Sequence, residues 1–598
     1  MEYDKWRSLP ALFFDQAARL GTKPLLWAKR DRIYRPLSWA QAAHDVRQLA
    51  LGLKRLGIGR GERVGLVSEN RPEWIIADLA IMSAGAITVP AYVTHTVEDY
   101  RHALANSGAR AVIVSKPVLS ARVLAAANQL GTVDSIIAIE PAVGPASTLD
   151  VISWDAIMGR GSGPAREIEE VIAAIEPDDV ACLIHTSGTT GTPKGVMTTH
   201  RNILANCRGA YRVLEPLGLG DEVFLSFLPL SHSYEHTVGD MFPISIGAQI
   251  YLAERAETLA ANMLEARPTM MTAVPRFYEV LHQRIRRGMA RKNSLARRMF
   301  DQAVAIGEKR LAGQTPSLGE RFCDPALDLL VRAKMRKRFG GRLKVMLSGG
   351  APLNPEIARF FLALGVTLLQ GYGQTEAGPA ITCNPPTRIK TDTVGPALEG
   401  VQLCIAGDGE ILVVGDNVMK GYWNDLEATV QALSGGWLHT GDIGAMGDDG
   451  YLRIIDRKRD FIKNSGGEMI SPARVEGYLA LEPELSQAIV FGDQRPYLVA
   501  IIVPDPEFVA GYTAEGTQPD LTALAADPGF NKAIAAAIAR VNRSLTPSEQ
   551  VRRFLIASEP FTIDNGLMTP TLKIKRHAIR DAYGSTLEAL YQTREAAA

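Results

Sequence analysis

The sequence predicts an α/β protein: a large N-terminal domain of layered sheets and helices with a β-rich subdomain, then a small α+β C-terminal domain. Three observations carry this expectation. Helix-like and strand-like periodicities alternate from residue 37 onward, as parallel sheets with crossover helices require. Residues 408–455 switch to short β-runs between glycines and turn residues. After Pro472 a compact mixed segment follows.

Residues 39–56 carry apolar side chains at helical spacing, 63–68 read as a strand and 74–84 as a second helix. Short buried strands are expected at 86–91 and 111–115, and the runs 223–227, 249–252, 269–274 and 343–347 continue the rhythm. Gly57-Ile58-Gly59-Arg60-Gly61 precedes a strand instead of following one, so it is a turn and not a dinucleotide loop. In the tail a helix is expected over 473–481, with strands over 487–491 and 498–504. The charged run 456–460 separates the two parts, which places the domains at 1–458 and 459–598.

Composition narrows the function classes. The chain has 598 residues, 46% of them apolar and 22% charged, an ordinary globular balance that permits a large core. Its 65 Lys and Arg against 65 Asp and Glu argue against a general nucleic-acid binder, which needs a net basic face. Cysteines 182, 207, 323, 383 and 404 form no CxxC pair, which fits a reducing compartment and speaks against a disulfide scaffold or structural zinc. The N-terminus lacks a signal-peptide pattern, and no apolar run reaches the ~20 residues of a membrane span. A cytoplasmic, soluble protein is expected. Residues 276–300 hold eight Arg or Lys against Glu279, with Phe277, Val280, Leu281 and Ile285 at helical spacing. Two readings stand: a solvated helix with one packed face, or a basic amphipathic surface for anionic lipid or a polyphosphate.

The stretch most rich in chemistry is Thr186-Ser187-Gly188-Thr189-Thr190-Gly191-Thr192-Pro193-Lys194-Gly195, between two strand-like runs. Glycines let backbone N–H groups approach a phosphate, hydroxyls add donors, and Lys194 adds charge. A Walker loop needs Gly before its Lys and Ser or Thr after it; Pro193 and Gly195 stand there instead. The loop is a phosphate cradle of another kind.

From this block on, the sequence resembles the adenylate-forming superfamily, and further blocks follow in that family's order. They are Pro229–Glu235 (PLSHSYE), Ser348–Leu353 (SGGAPL), Gln370–Glu376 (QGYGQTE), His439–Asp442 (HTGD), Asp456–Asp460 (DRKRD) and Thr569–Arg576 (TPTLKIKR). Ala273–Glu279 (AVPRFYE), the basic insert and Pro570-Thr571-Leu572-Lys573 look most like long-chain fatty acyl-CoA synthetases.

The resemblance implies an ATP-dependent ligase joining a medium- or long-chain fatty acid to CoA through an acyl-adenylate, with Mg²⁺. Activation of an aromatic acid, or transfer to a carrier protein on a separate chain, is the alternative. It implies a nucleotide site made of Thr186, Ser187, Gly188, Thr189, Thr190, Gly191, Lys194, Gly350, Ala351, Pro352, Gln370, Gly371, Tyr372, Gly373 and Thr375. Asp442 and Arg457 would hold the ribose, since a carboxylate accepts two hydrogen bonds from a cis-diol. Glu376, with Thr186, would hold Mg²⁺, which prefers hard oxygen ligands. Lys573 would be the catalytic cation and His232 would orient the carboxylate or close the acyl tunnel. Because Lys573 belongs to the small domain, that domain is expected to be mobile, pivoting at Arg459. Gly466, Gly467 and Glu468 would line the CoA side. Peripheral membrane contact through 276–300 and a homodimer are compatible assemblies.

Overall fold

The computed structural model describes residues 1–186, 192–513 and 520–592. Two eight-stranded sheets organise the body. The first runs Gly421–Tyr422, Lys194–Thr199, Val180–Thr186, Ile87–Ala91, Arg63–Val67, Ala111–Val114, Ser135–Ala138, Asp150–Ser153. The second runs Ala380–Cys383, Leu368–Gly373, Val345–Ser348, Met270–Ala273, Val223–Ser226, Gln249–Leu252, Pro24–Arg30, Ile33–Ser38. Interior pairings are parallel, and antiparallel strands close the edges beside the loops that matter below.

Both sheets are covered on two faces, so their strands are continuous apolar runs: Ala111–Val114 and Met270–Ala273 are buried throughout. One core joins Leu66 and Ile113 of the first sheet to Phe224 and Ile250 of the second through helical residues including Trp39, Val46 and Trp74. A helical layer therefore lies between the sheets. Tyr100 and Val123 cover the outer face of the first sheet, and Tyr278, Phe300 and Phe361 cover that of the second. The helix expected at 39–56 is Trp39–Arg55; it starts there because Ser38 and Gln41 form a capping box.

The β-rich segment is an antiparallel sheet of Val401–Ile405, Glu410–Gly415, Leu438–Met446 and Leu452–Arg457. Beyond it a short hairpin, Ile462–Lys463 with Met469–Ile470, leads into a three-stranded mixed sheet of Leu485–Phe491, Leu498–Pro504 and Val551–Ile556. Val475, Phe530 and Ile538 fill one face of that sheet; Ile579 and Leu587 of the last helix fill the other. The chain thus has the layered α/β body, β-rich segment and α+β C-terminal part that the sequence leads one to expect.

The basic stretch 276–300 is two helices, Pro275–Ala290 and Ser294–Leu311, the second capped by the Asn293 side chain. The first helix lies against the C-terminal part. The Gln283 amide donates to the carbonyls of Ala480 and Leu485, each at 3.2 Å, and Arg287 pairs with Asp505 at 2.7 Å. Arg276 donates to Ser486 Oγ at 3.1 Å, and Arg291 pairs with Glu507 at 2.9 Å. Arg276, Arg287 and Arg291 thus meet the C-terminal part, while Arg284, Arg286, Lys292, Arg297 and Arg298 are exposed, so the stretch has one packed face and one exposed basic face. Among the described residues no helix is long and apolar enough to cross a membrane.

Candidate active site

A cavity of about 940 Å³ opens where the two sheets, the β-subdomain and the C-terminal part meet. Its walls bring together Thr186, Lys194, His232, Gly350, Gly371, Tyr372, Gly373, Thr375, Glu376, Arg457, Arg459 and Lys573. Ser187, Gly188, Thr189, Thr190 and Gly191 lie outside the described residues. The strands on either side of them pair antiparallel, His185 with Gly195 and Thr186 with Lys194.

One side of the cavity is built on strand Leu368–Gly373. The Tyr372 hydroxyl donates to Asp442 Oδ2 at 2.7 Å, and Arg457 Nε stands 3.3 Å from Oδ1 of the same carboxylate. Those contacts anchor the Tyr372 hydroxyl. Burial pushes the Asp442 carboxyl up, with Arg457 and Tyr372 opposing it. Thr375 Oγ1 is 2.9 Å from Ser233 Oγ. The Gln370 backbone is held by its neighbours, its carbonyl accepting from Asn384 N–H at 3.0 Å, while Ala351 and Pro352 follow the loop away from the cavity wall.

Glu376 accepts from the Tyr422 hydroxyl at 2.8 Å. Lys194 Nζ lies 5.2 Å over the Tyr422 ring and 3.7 Å from Asp425. Tyr422 was not legible as a site residue: it pairs with Val196 only because strand Gly421–Tyr422 adds to the sheet edge. Glu376 and Thr186, both lining the cavity, offer a carboxylate and a hydroxyl, which suits Mg²⁺ because that ion takes few protein ligands and fills its shell from phosphates and water. Among the described residues no group of three or more His, Cys, Asp or Glu could hold a metal alone.

Lys573 reaches the cavity from the tip of a tight turn. Its N–H is accepted by Thr569 Oγ1 at 3.0 Å, its carbonyl accepts from Thr569 N–H at 2.8 Å, and Met568 bridges Ile574. Leu572 closes the turn at φ 61°. Gly350, at φ 83°, lies beneath the lysine; a Cβ there would stand 4.0 Å from Lys573 Cε. At neighbouring Gly349 a Cβ would come within 3.0 Å of the Tyr234 ring, so the Ser-Gly-Gly loop leaves room for both side chains. Burial, then Arg457, brings the Lys573 ammonium down to about 8, with Asp442 pulling the other way.

His232 faces the same lysine. Burial first, and Lys573 second, lower its imidazole to about 3, so the ring is neutral at physiological pH. Its Nδ1 accepts the Tyr234 N–H at 3.1 Å, which leaves the proton on Nε2 as a donor. Behind it Glu235 accepts from Ser226 at 2.6 Å and from Thr272 at 2.5 Å, and burial raises its carboxyl to about 7. The cavity lining also holds a set of apolar side chains: Ala210, Val213, Leu214, Val238, Cys383 and Leu398.

Arg459 lies on the cavity wall in the turn after strand Leu452–Arg457, its guanidinium lowered by burial and by Arg457. Gly466, Gly467 and Glu468 are not brought into the cavity. They form the exposed tip of the short hairpin, where Glu468 N–H donates to Asn464 Oδ1 at 2.9 Å.

A family model described as AMP-binding enzyme matches residues 13–423, and one described as AMP-binding enzyme C-terminal domain matches 459–595. The long-chain-fatty-acid–CoA ligase FadD15 of Mycobacterium bovis is 34% identical over 568 residues, covering 94% of this chain and 93% of that protein. Long-chain-fatty-acid–CoA ligase 6 of Mus musculus is 32% identical over 620 residues, covering 98% of this chain and 87% of that one. The adenylation domain of the carboxylic acid reductase from Segniliparus rugosus, solved with AMP and a co-purified carboxylic acid, superposes with a TM-score of 0.76 at 22% identity, over 98% of this chain and 94% of that one. Over nearly its whole length, therefore, the chain belongs to the AMP-binding enzyme family.

Proposed function

We propose that the protein is an ATP- and Mg²⁺-dependent ligase that activates a medium- to long-chain fatty acid as its acyl-adenylate and passes the acyl group to CoA. One observation carries the reading. A cation from the C-terminal part, Lys573, stands in one cavity with Tyr372 and Arg457, both bound to Asp442, and with His232 and the apolar residues Ala210, Val213, Leu214 and Val238. The sequence relatives named as long-chain-fatty-acid–CoA ligases support the same substrates.

In the first step a carboxylate oxygen attacks the α-phosphorus of ATP and the bond to the β-phosphate oxygen breaks, releasing pyrophosphate. The obstacle is repulsion between carboxylate and phosphate. Lys573 counters it where charge builds up on the α-phosphate, and the neutral Nε2–H of His232 donates to a carboxylate oxygen. Tyr372 offers its ring to adenine, Asp442 and Arg457 take the ribose, and Thr375 donates to the α-phosphate. Residues 186–195 cradle the departing phosphates. Mg²⁺ held by Glu376 and Thr186 would neutralise phosphate charge.

In the second step the CoA thiolate attacks the acyl carbonyl and AMP leaves. Gly466–Glu468 lie outside the cavity here, so this step calls for a different placement of the C-terminal part. Rotation about Arg459, with domains divided near residues 458 and 459, would withdraw Lys573 and bring the Gly466-Gly467 tip to the thiol path. The test is a panel of acids from acetate through long acyl chains to benzoate and cinnamate, read as AMP release with and without CoA. Fastest CoA-dependent turnover on aliphatic acids of medium or greater length supports the reading. A preference for aromatic acids, or turnover that needs holo-carrier protein in place of CoA, overturns it.

A further inference from the structure

The stretch 318–338 is one nearly continuous helix, made of Leu318–Leu327, a wide turn at Asp328–Arg332, and Ala333–Arg338. Its inner face is anchored by Asp324, Leu327, Arg332 and Met335, all buried. Its outer face is unusual for a charged helix. Leu318, Phe322 and Leu329 are 73%, 85% and 70% exposed, with Pro325 and Ala326 exposed between them. Steps of four, three, one and three residues put all five on one side. An isolated exposed leucine is ordinary, whereas a stripe crowned by a bare phenylalanine is not.

Charge selects the occupant. The segment holds three acids, Glu320, Asp324 and Asp328, against six bases, Arg321, Arg332, Lys334, Arg336, Lys337 and Arg338. Every acid is already paired within the protein: Glu320 with Lys309 at 2.5 Å, Asp324 with Arg310 at 2.6 Å and Arg332 at 2.9 Å, and Asp328 with Arg336 at 2.9 Å. Arg321, Lys334, Lys337 and Arg338 are exposed and make no ion pair among the described residues. An apolar stripe flanked by uncompensated cations matches a surface that is anionic outside and hydrocarbon within.

We propose that residues 318–338 dock the protein peripherally on an anionic phospholipid surface, with Leu318, Phe322 and Leu329 entering the acyl boundary and Arg321, Lys334, Lys337 and Arg338 meeting headgroup phosphates. This contact lies beyond the stretch 276–300, of which Arg276, Arg287 and Arg291 meet the C-terminal part. A membrane is where a poorly soluble fatty acid concentrates, yet the inference stands on the helix and not on the substrate reading.

The test is co-sedimentation of the full chain with vesicles of phosphatidylcholine alone or mixed with phosphatidylglycerol. The wild type is expected to pellet with the mixed vesicles and to be released by high salt. Phe322→Ser with Leu329→Ser should weaken binding by about tenfold or more. Arg321→Glu with Lys337→Glu should weaken it by about fivefold or more per charge. Turnover of a short water-soluble acid should stay at the wild-type level in both variants, which separates failure here from failure of the proposed chemistry. Absence of binding, indifference to phosphatidylglycerol, or unchanged binding in both variants overturns the proposal. So does a concentration-dependent dimer that the Phe322 and Leu329 changes abolish without any vesicle binding, since a second copy would then be the occupant.

Discussion

Arg287 and Asp505 meet at 2.7 Å, and both side chains are largely shielded from water, the aspartate at 6% exposure. The pair joins the helix Pro275–Ala290 to the C-terminal part, and Gln283 and Arg291 extend the same contact. The arrangement that places Lys573 in the cavity is thus secured outside the cavity itself, by a helix none of whose residues lines it.

Loosening this contact should slow adenylate formation and spare thioester formation. Arg287→Met leaves the Asp505 carboxylate facing protein without its partner, a loss of a few kcal/mol at most for a pair this shielded (about 3 kcal/mol). The check is pyrophosphate exchange beside CoA transfer from pre-made acyl-adenylate. A variant slowed equally in both would show that the contact only supports the fold.

Lys573→Ala should lower adenylation by about 10²–10³-fold, the usual cost of removing one preorganised charge stabiliser. CoA transfer from supplied acyl-adenylate should fall far less. The same pair of assays measures it, and equal losses in both half-reactions would reject the division of labour.

Adenylation should also carry the pH signature of this lysine. Its ammonium titrates near 8 in the free enzyme, so kcat/KM for pyrophosphate exchange should decline as pH rises through about 8. The limb in kcat should sit higher, because bound phosphates favour the cation. Stability runs the other way. Between about 8 and the ordinary lysine value of 10.5 the unfolded chain binds more protons at this position than the folded one, so this group's contribution to stability rises with pH. Lys573→Ala should flatten the activity limb; an unchanged limb would assign it to another group.

Tyr422→Phe should raise the Mg²⁺ concentration needed for half-maximal pyrophosphate exchange by about tenfold, because Glu376 loses the 2.8 Å donor that orients it. Glu376→Gln should reduce the rate at any Mg²⁺ level. Titration of Mg²⁺ at saturating ATP reads both, and an unaltered Mg²⁺ dependence in both variants would move the ion elsewhere.

Much of the fold was legible in the sequence because buried parallel strands are apolar throughout and helices carry caps. The strands at 249–252 and 498–504 fall where expected, and Ser38 announces the helix that follows. Much of the cavity wall was legible too, since the blocks around Tyr372, Lys194 and Lys573 are short and ordered. What spacing does not report is partnership across strands. Ser233 opposite Thr375, Tyr422 opposite Glu376, and Arg287 opposite Asp505 are separated by 142, 46 and more than 200 residues, and nothing local marks them. The basic stretch at 276–300 was ambiguous for the same reason: a cationic helix looks alike whether it faces lipid, solvent or a neighbouring acid.

Leu572 holds its backbone where an L-residue with a side chain is uncomfortable, at a penalty of roughly 1–2 kcal/mol, and no glycine relieves it. The Thr569 bonds and the Met568–Ile574 bridge impose that posture from both sides. The turn behaves as a cantilever: stiff, loaded at its root, and projecting one amine a fixed distance. Replacing Leu572 with glycine would ease the load and let the tip sag, so a more comfortable protein would be a less accurate one.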